Sequence, residues 1–169
     1  MTSSIALIGF MGAGKTTVGA KLAPQLNTYQ RDLDEVIERE LGESIQEFFA
    51  REGEERFRLI ETQALKKQLD QVGVLSTGGG VVMRKENRGL LSKSKVPVIY
   101  LRTQPEELLD RLQGDEQRPL LQQMDRDGFI RLWEYRDPLY REAADIIVDT
   151  DGINADQVAT QIIEQLEDD

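Results

Sequence analysis

An α/β fold, with a parallel sheet covered by helices on both faces, is the architecture this sequence predicts, and two observations predict it. Short apolar runs that read as doubly buried strands alternate along the chain with stretches of helical periodicity. The first run, Ile5–Ile8, leads directly into Gly9-Phe10-Met11-Gly12-Ala13-Gly14-Lys15-Thr16, a complete G-x-x-x-x-G-K-[ST] phosphate-binding loop, and the helical pattern Val18, Leu22, Leu26 follows it. A glycine turn with a chance Gly-Lys-Thr would lack that strand and that helix. Right-handed crossovers put the loops after parallel strands along one edge of the sheet, so ligands are expected there.

Each element has its own signal. The glycines of the first loop let the backbone wrap N–H groups around phosphate oxygens at the positive end of a helix that starts near Lys15. Lys15 then reaches the β- and γ-phosphates, and the Thr16 hydroxyl is placed for Mg²⁺. A weaker strand at residues 28–31 is inferred from its position. It runs into Asp32-Leu33-Asp34, two carboxylates that share a face of an extended segment. One suits the water shell of a metal and the other an acceptor hydroxyl, the two tasks of phosphoryl transfer. Plain N-capping of a helix is the simpler alternative for either. Ser44-Ile45-Gln46-Glu47 has the form of a capping box, and Glu54–Leu69 is helical in spacing with the apolar stripe Phe57, Ile60, Ala64 and Leu65.

The strand Val74–Ser76 ends in Thr77-Gly78-Gly79-Gly80, where a ligand can approach the backbone closely, and Ser76 or Thr77 is a further candidate for a metal-water contact. A strand at residues 96–101 precedes a second capping box, Thr103-Gln104-Pro105-Glu106, with proline in the first turn. Residues 114–123 are polar and read as an exposed mobile loop. Pro138 is expected to end or kink the helix running through Trp133 and Tyr135. A strand at 146–148 and a helix at 154–166 close the chain, with Glu167, Asp168 and Asp169 opposing the helix dipole and expected to fray. Phe48, Phe49, Phe57 and Trp133 suit the core or the wall of a pocket.

Composition narrows the chemistry. The 169 residues are one domain by length, and they contain neither cysteine nor histidine. Acid–base work therefore falls to carboxylates, and a reducing compartment is permitted. With 21 basic and 31 acidic residues the net charge is -10, which opposes binding to nucleic acid or to an anionic membrane. A small anionic ligand must be held by a few local cations. Arg58 and Glu61 lie three apart on one helix and can pair, Arg118 sits in the polar loop, and Arg136 precedes Asp137-Pro138. A surface role is the simplest for each alone, yet a phosphoryl-transfer enzyme needs an arginine that closes over the transferring group, and Arg118 suits that task. No apolar run approaches membrane-spanning length, and the chain is expected to be soluble, untargeted and cytoplasmic.

Taken together, and in order, the P-loop, Asp32-Leu33-Asp34, Phe57-Arg58-x-x-Glu61, Gly78-Gly79-Gly80, Arg118-Pro119-Leu120-Leu121, Arg136-x-Pro138-Leu139-Tyr140 and Val148-Asp149-Thr150 resemble the successive motifs of the shikimate kinases. The resemblance covers nearly the whole chain. It implies a three-layer P-loop kinase fold of the nucleoside-monophosphate-kinase type with a five-stranded parallel sheet, a single domain over 1–169 and a mobile lid at 114–123. The reaction it implies is transfer of the ATP γ-phosphoryl group to the 3-hydroxyl of shikimate, toward chorismate and the aromatic amino acids. It implies nucleotide contacts from Gly12, Ala13, Gly14, Lys15, Thr16, Thr17 and Arg118, with Mg²⁺ held by Thr16 directly and by Asp32 through water. Asp34, Arg58, Gly79, Gly80 and Arg136 are the implied shikimate site, Glu61 orients Arg58, and Lys15, Asp34 and Arg118 are the implied catalytic groups. A monomer acting on a small molecule is expected. The one departure from the pattern is Asp151-Gly152-Ile153-Asn154, which lacks the arginine that some members lay against adenine. A gluconate-type small-acid kinase and a nucleoside-monophosphate kinase are alternatives that account less well for the paired Asp32 and Asp34 with Gly78-Gly79-Gly80. A non-catalytic nucleotide-binding relative would be signalled by loss of Lys15, Asp34 or Arg118, all of which are present.

Overall fold

A computed structural model describes residues 4–112 and 124–167. Five strands, β1 (Ile5–Ile8), β2 (Gln30–Asp32), β3 (Val74–Ser76), β4 (Val98–Arg102) and β5 (Ile146–Asp149), form one sheet in the order β2-β3-β1-β4-β5 with every pairing parallel. Ile5 lies opposite Val74 and Ala6 opposite Val98, so β1 is the central strand. Its four residues are wholly buried, as a strand with helices on both faces requires. The edge strand β5 alternates instead, with Ile146 and Val148 inward and Ile147 and Asp149 outward.

The helices among the described residues are α1 (Lys15–Gln25), α2 (Leu33–Leu41), α3 (Ile45–Glu52), α4 (Glu54–Leu69), α5 (Lys85–Ser92), α6 (Pro105–Leu112), α7 (Arg126–Ala143) and α8 (Ala155–Glu167), with a single 3₁₀ turn at Val81–Met83. On the sheet, α1 packs beside α8 and against β1, β2 and β3, while α7 packs against β4 beside α5 and α6. The aromatic side chains Phe10 and Phe129 meet edge to face at 5.1 Å and tie the P-loop to α7.

Most sequence signals land where expected, and the exceptions have physical reasons. β2 and β4 each begin two residues later than their expected starts at 28 and 96. The Ser44 hydroxyl accepts from the Glu47 N–H at 3.1 Å, but Thr103 caps nothing. Its hydroxyl is buried against that of Thr150 across the β4–β5 end, and Gln104 takes the position before α6. α7 does not end at Pro138; it continues for more than another turn to Ala143. Glu134, whose carbonyl the proline leaves unbonded, lies with Pro138 on the exposed side of the helix, while buried Tyr140 and Ala143 hold the last turn to the core. α8 opens with a reciprocal cap the sequence reading missed, Asn154 N–H to Gln157 Oε1 at 2.8 Å and Gln157 N–H to Asn154 Oδ1 at 2.9 Å. Glu167 is helical, and Asp168 and Asp169 lie outside the described residues. Among the described residues no helix is long and apolar enough to cross a membrane.

Candidate active site

The phosphate-binding loop is held open by its backbone. Gly12 and Gly14 have φ of 83° and 94°, a left-handed conformation that an L side chain resists, and Gly14 in that state directs the chain into α1. Lys15 folds back over the loop, its ammonium donating to the carbonyls of Gly9 at 2.6 Å and Phe10 at 3.1 Å. The Thr16 hydroxyl donates to Asp32 Oδ2 at 3.2 Å, and Asp32 Oδ1 accepts the N–H groups of Asp34 at 2.9 Å and Glu35 at 3.3 Å. Capping and ligand-side roles for Asp32 are thus not alternatives, because each uses a different oxygen of one carboxylate.

Ser76 and Thr77, the further candidates for a metal-water contact, direct their hydroxyl protons to the backbone. Ser76 donates to the Lys15 carbonyl at 3.2 Å and Thr77 to the Leu7 carbonyl at 2.8 Å, so both hydroxyls brace the strand ends beneath the loop. Gln30, which no sequence signal marks, does the same by donating to the Thr16 carbonyl at 2.8 Å.

Asp34 sits in the first turn of α2 with its carboxylate against Gly78; a Cβ there would stand 3.0 Å from Oδ1. Its pKa is pushed up to about 6, chiefly by burial, then by the charges of Asp32 and Glu61, with the Lys15 ammonium opposing the rise. A cavity of about 500 Å³ is lined by Lys15, Thr16, Asp34, Gly78, Gly79 and Arg111, so the phosphate loop and the first two glycines of the triplet face one space.

Two arginines converge on that triplet from different helices. Arg58, in α4, donates to Glu61 Oε1 at 2.9 Å and lies over the Phe57 ring at 5.3 Å, with Phe49, half-exposed, 5.8 Å from the same ring. Its guanidinium rests on Gly80, where a Cβ would come within 2.8 Å of Cζ, so a side chain there would displace the guanidinium. Arg136, in α7, lies over the Phe10 ring at 5.3 Å, and Nη1 stands 3.6 Å from where a Gly79 Cβ would be. Arg58 is 14 % and Arg136 9 % exposed, and the Nε of each is buried without a hydrogen-bond partner. Glu61 is wholly enclosed; burial pushes its carboxyl above the ordinary value while the Arg58 guanidinium pulls it back. Arg118 and the expected lid at 114–123 lie outside the described residues.

Sequence reasoning also missed Arg111. At the end of α6 it donates to the Gly12 carbonyl at 3.2 Å and pairs with Glu107 at 3.3 Å. It lines both the main cavity and a second one of about 310 Å³, beside Thr17, Thr150, Ile153, Asn154 and Val158. An i, i+4 pair with Glu107 was its only sequence signal, and such pairs are common on any helix surface. Asp137 was missed as well. It accepts from Tyr100 at 2.7 Å, Arg102 at 3.0 Å and Arg141 at 3.0 Å, and although burial alone would raise its pKa, these donors hold it below the usual carboxylate range.

The chain was compared with known proteins. The family model described as shikimate kinase matches residues 11–167. A shikimate kinase of Dictyoglomus turgidum is 45% identical over 174 residues, spanning 100% of both chains, and one of Vibrio cholerae is 47% identical over 167 residues, covering 98% of this chain and 95% of that protein. Among solved structures, shikimate kinase from Acinetobacter baumannii in complex with shikimate superposes with a TM-score of 0.91 at 39% identity, covering 99% of this chain and 94% of that one. Shikimate kinase from Aquifex aeolicus gives 0.82 at 32% identity, covering 96% and 95%. Likeness of this extent in both sequence and fold means that the chain belongs to the shikimate kinase family.

Proposed function

We propose a division of labour for the shikimate kinase reaction that this chain performs, the transfer of the ATP γ-phosphoryl group to the 3-hydroxyl of shikimate. The observation that carries it is the pair of buried arginines, Arg58 with its guanidinium on Gly80 and Arg136 with Nη1 beside Gly79, each with an Nε that makes no hydrogen bond. Buried guanidinium donors call for an acceptor with planar, paired oxygens, and a carboxylate supplies them. Shikimate offers a carboxylate at one end and ring hydroxyls for Asp34 and the glycine N–H groups at the other.

Lys15 exchanges the carbonyls of Gly9 and Phe10 for phosphate oxygens, which the N–H groups of Gly12, Ala13, Gly14, Thr16 and Thr17 also meet. The adenine end lies in the second cavity, between Arg111 and Ile153. The hydroxyl of Thr16 and the carboxylate of Asp32, a pair of hard oxygen donors 3.2 Å apart, fit Mg²⁺, an ion that takes few protein ligands and completes its shell with water and phosphate. When bound, Mg²⁺ neutralises charge on the β- and γ-phosphates.

Asp34 orients the 3-hydroxyl. As the bond from the leaving oxygen to γ-phosphorus breaks and that from the 3-oxygen forms, Asp34 takes the hydroxyl proton, which a carboxylate of pKa about 6 does readily at neutral pH. Arg58 and Arg136 clamp the carboxylate, Glu61 holds Arg58 in place, and Arg118, by family resemblance, closes on the transferring group. A cytoplasmic monomer completes the reading; the chain has no cysteine, which permits a reducing compartment.

A coupled ADP-release assay over shikimate, gluconate and nucleoside monophosphates tests the reading. Turnover with shikimate alone is expected; a preference for gluconate would return the site to the small-acid alternative.

A further inference from the structure

Three consecutive glycines restrict their own backbone very little, so the shape of residues 78–80 is imposed by what surrounds them. Their carbonyls reveal how. The Gly78 carbonyl accepts the Val81 N–H at 3.2 Å and the Gly80 carbonyl the Met83 N–H at 3.0 Å, both within the turn that follows β3. The Gly79 carbonyl instead accepts the phenolic O–H of Tyr140, far along the chain in α7.

That hydroxyl stands where two parts of the acceptor pocket meet. Tyr140 lies one helical turn beyond Arg136, whose guanidinium sits beside the phenol, and Arg136 itself packs toward Gly79. The Tyr140 ring is wholly buried and rests 4.8 Å from the ring of Tyr100, whose own hydroxyl donates to Asp137 at 2.7 Å. A phenol fixed on so many sides does not follow the loop; the loop follows it.

A trans peptide directs its C=O and its N–H in opposite directions, and the Gly79 carbonyl shares one peptide plane with the Gly80 N–H. Holding the carbonyl against Tyr140 therefore sets the direction of the Gly80 N–H. We infer that Tyr140 is a positioning residue of the acceptor site: its hydroxyl ties the Gly79–Gly80 peptide to the helix that carries Arg136, so that a backbone donor and the guanidinium keep a fixed relation. This rests on the reading that Gly80 and Arg136 bind the acceptor.

Tyr140→Phe removes one oxygen and keeps the ring. In the unliganded full-length protein the amide NMR signals of Gly79 and Gly80 should shift or broaden, because the peptide plane regains its freedom. The KM for shikimate should rise about tenfold, the size of effect expected for a lost buried hydrogen bond, with the KM for ATP unchanged and kcat within about twofold. Combined with Arg136→Lys, the two effects on shikimate KM should fall short of multiplying, since both act on one arrangement. Unmoved glycine signals, an equal rise in both KM values, or strictly independent effects in the double variant would each overturn the inference. If the parent enzyme itself fails to phosphorylate shikimate, the acceptor reading is what fails, and the glycine signals still decide whether Tyr140 sets the loop. Should Tyr140→Phe not fold, 3-fluorotyrosine at position 140, a stronger donor of nearly the same shape, must move the same two signals.

Discussion

The proposed phosphate half and the proposed acceptor half of the site are built in opposite ways. Gly9 to Thr16 is a single stretch of chain whose donors are its own backbone N–H groups and one lysine, fixed by glycine dihedrals and by the start of α1. The acceptor half is assembled from α2, α4, the turn after β3 and α7, and its donors are long side chains held by partners such as Glu61 and Phe10. A local site withstands change elsewhere but depends wholly on its few residues. A dispersed site has more supports, and each carries a smaller share.

That contrast is open to test. The largest loss is expected from Lys15→Ala, which removes the only side-chain cation of the phosphate loop: turnover should fall by at least about a thousandfold with the melting temperature nearly unchanged, as steady-state kinetics beside thermal unfolding will show. Substantial activity in a folded variant would remove Lys15 from the mechanism.

Asp34→Asn comes next, with a fall in kcat of about a hundredfold or more if the carboxylate takes the proton. Its pH behaviour separates catalysis from packing. Because the folded-state pKa is raised from 3.8 to about 6, Asp34 favours the folded state while protonated, and that advantage is lost as pH rises through this window. The unliganded Asp34→Asn protein should therefore match the parent near pH 4 and exceed it above pH 6, by at most about 3 kcal/mol in denaturant titrations. For the parent enzyme, kcat/KM should decline as pH drops below about 6. Near-normal turnover in the variant would leave Asp34 a positioning role only.

Arg58→Ala and Arg136→Ala test the dispersed half. Leaving a buried carboxylate without one of its charged partners costs about 2 to 5 kcal/mol, so shikimate affinity should drop on the order of a hundredfold while affinity for a non-hydrolysable ATP analogue is kept. Calorimetric titration of each ligand separately would expose a shared loss, which would erase the distinction between the halves. The smallest effect belongs to Glu61→Gln: it keeps a hydrogen-bond acceptor for Arg58 but loses the charge, and shikimate should bind about fivefold to tenfold more weakly.

Legibility in the sequence followed the same division. Glycine spacing, an apolar strand before it and a helical stripe after it mark the P-loop because the residues that define it are contiguous in the chain. β1 and β3 fall on their expected residues for a related reason, since central parallel strands are apolar on both faces. Arg58 and Arg136 carry no such mark. Each is one arginine among many on a charged chain, and only their order within a family-like set of motifs singled them out. Ser76 and Thr77 end a strand at the ligand edge, and only the packed structure shows that their hydroxyls donate to the carbonyls of Lys15 and Leu7. Pro138 is expected to end or kink its helix, and of these the ending does not occur, because the helix runs on to Ala143.

By itself, then, the sequence determined the layered α/β architecture, the nucleotide loop, the pairing of Arg58 with Glu61 and the burden that falls on carboxylates in a chain without histidine. Tertiary structure alone decided that Arg111 reaches the Gly12 carbonyl, that Arg58 rests on Gly80, and that Tyr140 holds the Gly79 carbonyl. These contacts join residues 99, 22 and 61 positions apart. Hydrophobic periodicity encodes which face of an element is buried, but not which polar atom of a distant element it will meet; that is settled when the helices pack onto the sheet and each buried donor must find an acceptor.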